Sequence, residues 1–134
     1  MSDSIAIIFT RHDFTGKQQE EFERICRDDG IDLDSGVILM RKEASLTLQS
    51  TKDAEAIVDK MIEKARERRA SDVIVFGVIP PVLRSVLWTD NSNRPKKSPA
   101  YFWIQEAHSI NRAEEGKPPK FEFDRWVLTG GYRL

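Results

Sequence analysis

Cysteine occurs once, at Cys26, so the chain can form no internal disulfide. A single thiol suits a reducing compartment, and the chain is read as cytoplasmic. No apolar run approaches the roughly 18 residues of a membrane-spanning helix. The longest, Val73–Pro81 with Gly77 inside it, is strand-sized. Met1-Ser2-Asp3-Ser4 places no basic stretch ahead of an apolar one, which predicts no secretory signal. Histidine is scarce too. His12 and His108 lie far apart, and with one cysteine they make no zinc spacing, so no metal and no cofactor is expected. The phosphate-cradling patterns GxGxxG and GxxxxGK[ST] are missing, which removes the dinucleotide and P-loop fingerprints. A GxSxG elbow is missing as well: Ser85 falls inside a helical pattern, and Cys26 on an apolar helix face reads as a core thiol.

What remains is ordinary for a folded domain. The 134 residues are 40% hydrophobic and 32% charged, which excludes disorder, and the length predicts one domain over 1–134. Net charge is −1, so the whole chain does not announce a nucleic-acid binder. The charge is unevenly placed. Asp13 to Asp34 carries eight acidic and three basic residues, whereas Arg84, Arg94, Lys96 and Lys97 face only Asp90 between 84 and 100.

Short continuous apolar runs mark strands buried on both faces: Ile5–Phe9, Val37–Met40 and Asp72–Val78. Thr15-Gly16-Lys17-Gln18 matches a capping box, and Phe22, Ile25 and Cys26 share one face of the helix it opens. A second helix starts at Ser50, with Asp53 three residues on. Ala54, Ile57, Val58, Met61, Ile62 and Ala65 then form the cleanest apolar stripe in the chain. Leu46-Thr47-Leu48 alternates, which predicts a hairpin folding back around Lys42–Ala44 or an edge extension. Pro80-Pro81 opens a short helix expected to end before Asp90, and a polar loop follows over Asn91–Pro99. Tyr101–Asn111 and Phe121–Leu128 read as strands joined through Gly116-Lys117-Pro118-Pro119. Strands alternating with amphipathic helices imply parallel βαβ units. The expected fold is a small Rossmann-like three-layer α/β domain, its mainly parallel sheet closed by a C-terminal antiparallel hairpin.

In such sheets ligands sit beyond the carboxyl ends of the strands, here Thr10–Lys17, Gly77–Pro81 and the loop 90–99. The first is densest: Thr10, Arg11, His12, Asp13, Thr15 and Lys17 stand at a helix N-terminus that favours anions. Arg11 and Lys17 supply cations, and His12 suits phosphate contact or acid–base chemistry. His108 reads as a surface or satisfied residue. The aromatics of the closing hairpin read as core or as an interface between two copies.

Ile5–Phe9 followed by Thr10-Arg11-His12-Asp13-Phe14-Thr15-Gly16-Lys17-Gln18 resembles the opening of small Rossmann-like CRISPR-associated proteins related to the CARF domain. The resemblance implies a homodimer that binds a cyclic oligoadenylate and, as some members do, cleaves it without metal; the hairpin or a sheet edge is the expected pairing surface. It implies His12 and Lys17 as proton-transfer residues. It maps Arg11, with His12 and Lys17, to the first-strand ligand loop and Gly77, Ile79 and Pro80 to the third-strand loop, whereas Thr10, Thr15 and, from the basic loop by which the chain departs from the family pattern, Arg94 and Lys96 are ligand-contact candidates by position. Two other readings stay open: a non-enzymatic protein-binding factor of phage or mobile-element origin, and a single-stranded nucleic-acid binder using the basic loop.

Overall fold

The computed structural model describes residues 4–92 and 101–130. Its elements run β1 (Ser4–Phe9), α1 (Gly16–Asp28), β2 (Val37–Leu39), α2 (Arg41–Ala44), α3 (Thr51–Glu67), β3 (Asp72–Gly77), α4 (Pro81–Ser92), β4 (Tyr101–Asn111) and β5 (Phe121–Gly130). They build one mixed sheet in the order β2-β1-β3-β4-β5. The first four strands are parallel and β5 returns antiparallel on β4. This is the small Rossmann-like α/β arrangement that the apolar runs imply.

Burial explains the runs. Ile5, Ile7 and Phe9 of β1 join Val73 and Val75 of β3 on one side of the sheet, under α3 and α4. Ala6, Ile74 and Phe76 point the other way, under α1, with Phe14, Phe22 and Cys26. A strand used on both faces must be apolar throughout. The α3 stripe packs as its spacing predicts, with Ala54, Ile57, Val58, Met61 and Ala65 buried. Ser50 caps that helix by accepting the Asp53 N–H, and the Asp53 carboxylate accepts from Gln49 N at 2.8 Å.

Three local expectations fail for identifiable reasons. Leu46–Leu48 is not a strand: the chain turns through α2, with Leu46 N bonded to Glu43 O. Leu48 packs on the core and Leu46 faces out, so the alternation reflects one anchored residue rather than strand pairing. The capping box at Thr15 does not form. Thr15 is extended and makes no side-chain cap; its carbonyl accepts the Gln18 N–H instead. The helix α4 runs on to Ser92 rather than stopping before Asp90.

The closing hairpin is longer than the sheet it borders. Gly77, the end of β3, pairs with Glu106, yet β4 continues to Asn111, roughly 16 Å further at about 3.3 Å per residue. A bulge on β5 interrupts this arm, since His108 pairs with Arg125 and Ser109 with Phe123. The extra residue, Asp124, restores phase: Phe123 and Trp126 end on the same face, their rings 5.4 Å apart.

Among the described residues no helix is long and apolar enough to cross a membrane. Cys26 is fully enclosed on the sheet-facing side of α1, and burial pushes its thiol up to about 12. At neutral pH it stays protonated and out of reach. A thiol-specific reagent should therefore leave the native protein unlabelled and label it fully in urea. Rapid native labelling would mean that α1 opens readily.

Candidate functional site

Strand order reverses at β1: the chain moves outward to β2, then crosses back to β3 on the other side. The carboxyl ends of β1 and β3 therefore diverge into loops on opposite sides of the sheet, which leaves a crevice at that end. The loop after β1 stands in it as a ridge, with a hollow on each flank.

The first hollow, about 290 Å³, lies towards α1. Ile8, Phe14 and Leu39 form its apolar wall, and Thr10, His12 and Gln19 its polar one. Asp13 and Arg41 also line it, and they form an ion pair that ties the loop after β1 to the start of α2. Both partners are exposed, so the pair contributes at most about 1 kcal/mol. Its consequence is electrostatic: the cation of this hollow is already neutralised.

The second hollow, about 380 Å³, lies on the α3 and α4 side. Its floor is Phe9 and Thr10, its near wall Arg11 and His12. Ser45, Leu46 and Thr47 from the turn after α2 close one end and Val78 the other. Among the described residues no carboxylate pairs with Arg11. His12 lines both hollows, and its backbone N–H donates to Thr10 Oγ1 at 3.3 Å.

Thr10, Arg11 and His12 are thus brought together at one place. Thr15 and Lys17 are exposed at the start of α1 and line neither hollow. The loop after β3 contributes differently from expectation. Gly77 is buried against β1, and the side chain of Ile79 is in the core. The Ile79 N–H donates to Glu106 Oε1 at 3.3 Å, and the Pro80 carbonyl accepts the Arg84 N–H. The residue of this loop that does face the crevice is Val78, 75% exposed. Arg94 and Lys96 lie outside the described residues.

Several site residues escaped the sequence. Glu106, in register with Gly77, pairs with the Arg84 guanidinium and so anchors the first turn of α4 to β4. Leu46 and Val78 carried no signal, because their chemistry is apolar and only their exposure is unusual. Asp13 and Arg41 sit far apart in the chain, so no spacing joins them. His108 Nδ1 lies 3.4 Å from Asp124 Oδ2 on the arm, half-exposed, and Arg125 also holds that carboxylate at 2.6 Å. Among the described residues no group of three or more histidine, cysteine or acidic side chains is placed to hold a metal ion. The chain matches no protein-family model, no curated protein and no solved structure.

Proposed function

We propose that the chain binds a phosphate-bearing nucleotide at the carboxyl edge of its sheet, on the loop after β1. One observation carries the reading: Thr10, Arg11 and His12 converge at the reversal of strand order, between two hollows. Arg11 offers a cation without an acidic partner among the described residues, and hollows of about 290 and 380 Å³ fall at or near the low end for small-molecule sites. A cyclic oligoadenylate is the ligand class proposed, held one nucleotide unit at a time. In its cleavage without metal a ribose 2′-hydroxyl, losing its proton to a base, would bond to the neighbouring phosphorus in line as the P–O5′ bond breaks, giving a 2′,3′-cyclic phosphate and a reprotonated 5′-hydroxyl, and positioning supplies much of the rate. His12 is the better placed of the two proton-transfer candidates, because it lines both hollows whereas Lys17 lines neither.

His12→Ala tests this directly. The side chain is exposed and outside the core, so the fold should stand. Losing one charge-assisted contact should weaken binding by about 1.5–3 kcal/mol, roughly tenfold to a hundredfold. Titration calorimetry of wild type and variant against cyclic tetra- and hexa-adenylate measures it, with melting temperature as the control. Equal binding by both proteins, or none by the wild type, would sink the reading. A fall of several degrees in melting temperature would make His12 structural instead.

A second reading, a surface for a protein or a second copy, draws on the arm. Phe121 is 68% exposed at its far end, and β5 leaves a sheet edge unpaired by any other described strand. Sedimentation at rising concentration reports a homodimer there. Of the hairpin aromatics that a single-stranded nucleic-acid reading would stack on, Phe102 and Trp126 are buried, whereas Phe121 is exposed and Tyr101, Trp103 and Phe123 are half-buried.

A further inference from the structure

The two hollows offer different chemistry, and the difference selects one of them. Towards α1 the cation is Arg41, already paired with Asp13. On the other flank Arg11 faces no carboxylate among the described residues, and two apolar side chains stand in water beside it. Val78 is 75% exposed and Leu46 55% exposed. A single exposed aliphatic residue needs no explanation, but two lining one hollow with a cation make a patterned surface.

Topology sets these two residues facing each other. Leu46 follows α2, which continues from β2, whereas Val78 follows β3. β1 lies between those strands, so the two residues reach the end of β1 from its two flanks and line one hollow. Val78 lies just past the end of β3, exposed between the buried Gly77 and Ile79. The edge chemistry is polar. Ser45 Oγ donates to the Arg41 carbonyl at 2.9 Å and is left with acceptor capacity. The Thr47 hydroxyl is available as donor or acceptor.

We infer that the hollow between the loop after β1 and the turn after α2 is a site for a flat heterocycle carrying an anionic group, with Leu46 and Val78 clamping the ring and Arg11 and His12 holding the anion. This deepens the nucleotide reading and rests on it, because it assigns the base and the phosphate to opposite parts of one hollow. Leu46 and Val78 are then the residues that separate a nucleotide from a bare sugar phosphate. The volume, about 380 Å³, is near the low end for small-molecule sites, which suits one nucleotide unit better than several.

The test uses three probes: AMP, ribose 5-phosphate and inorganic phosphate. AMP should bind the wild type about tenfold or more tightly than ribose 5-phosphate, since only AMP fills the apolar slot. The double variant Leu46→Ser with Val78→Ser removes exposed side chains and should keep the wild-type melting temperature. It should lower AMP affinity about tenfold and leave ribose 5-phosphate binding unchanged. Arg11→Ala should weaken all three probes. If AMP and ribose 5-phosphate bind the wild type equally, or the double variant weakens both alike, the clamp is wrong while nucleotide binding stands. If neither AMP nor ribose 5-phosphate binds the wild type, the nucleotide reading falls and the clamp with it.

Discussion

Phe76→Ala should remove about 3–5 kcal/mol of stability, against a total of about 5–15 kcal/mol for a domain of this kind. Phe76 is fully buried next to the last residue of β3. Its ring meets Phe22 edge-on at 4.7 Å and Trp126 edge-on at 5.2 Å. Phe14 closes the circle, 5.4 Å from Phe22 and 5.0 Å from Trp126. Among the described residues α1 is the only helix on this side of the sheet, so the four rings are the joint between α1, β3 and β5. Edge-to-face pairs contribute about 0.5–1.5 kcal/mol beyond the area they bury, and alanine loses two of them together with the volume. Phe76→Leu keeps most of the volume and should cost far less. Urea unfolding of the three proteins, followed by circular dichroism, measures the ranking. An alanine variant within 1 kcal/mol of wild type would mean that α1 is not held by this cluster.

The same ring cluster shows what a sequence can and cannot carry. Phe22 and Cys26 fall on one helical face, and Phe76 sits inside a continuous apolar run, so their burial follows from spacing alone. Trp126 meeting Phe14 does not, because those residues belong to opposite ends of the chain. Phe123 reaches the same face as Trp126 only through the extra residue at Asp124, and no alternation rule places a bulge.

The crevice divides in a similar way. Thr10, Arg11 and His12 are polar residues directly after a buried strand, and in a parallel sheet that position alone brings them to the ligand edge. Val78 extends the apolar run of β3 and reads as core. It lies past the end of β3, where it is 75% exposed and lines a hollow instead of the core. Ile79, one residue on, reads as an accessible loop residue and is core instead. Exposure here depends on which neighbours arrive in space, and that is settled by the whole fold rather than by the local pattern.

Gly77→Ala should be damaging with no ligand present, which separates a structural glycine from a ligand-contacting one. A Cβ built on Gly77 would collide with the backbone carbonyl oxygen of Phe9, its parallel partner on β1. Backbone cannot move aside as a flexible side chain can. The φ of +154° adds strain for any residue with a Cβ. Strain of about 1–3 kcal/mol and overpacking of similar size together predict a loss of roughly 3 kcal/mol or more. Gly116 supplies the control. Its φ is +80°, but a Cβ there would meet nothing within 4 Å, so Gly116→Ala carries strain without collision and should cost about 1–2 kcal/mol. Urea midpoints of both variants in ligand-free buffer should therefore differ clearly, with Gly77→Ala the lower. A Gly77→Ala protein as stable as wild type that loses only nucleotide binding would overturn this account and make the glycine a ligand contact.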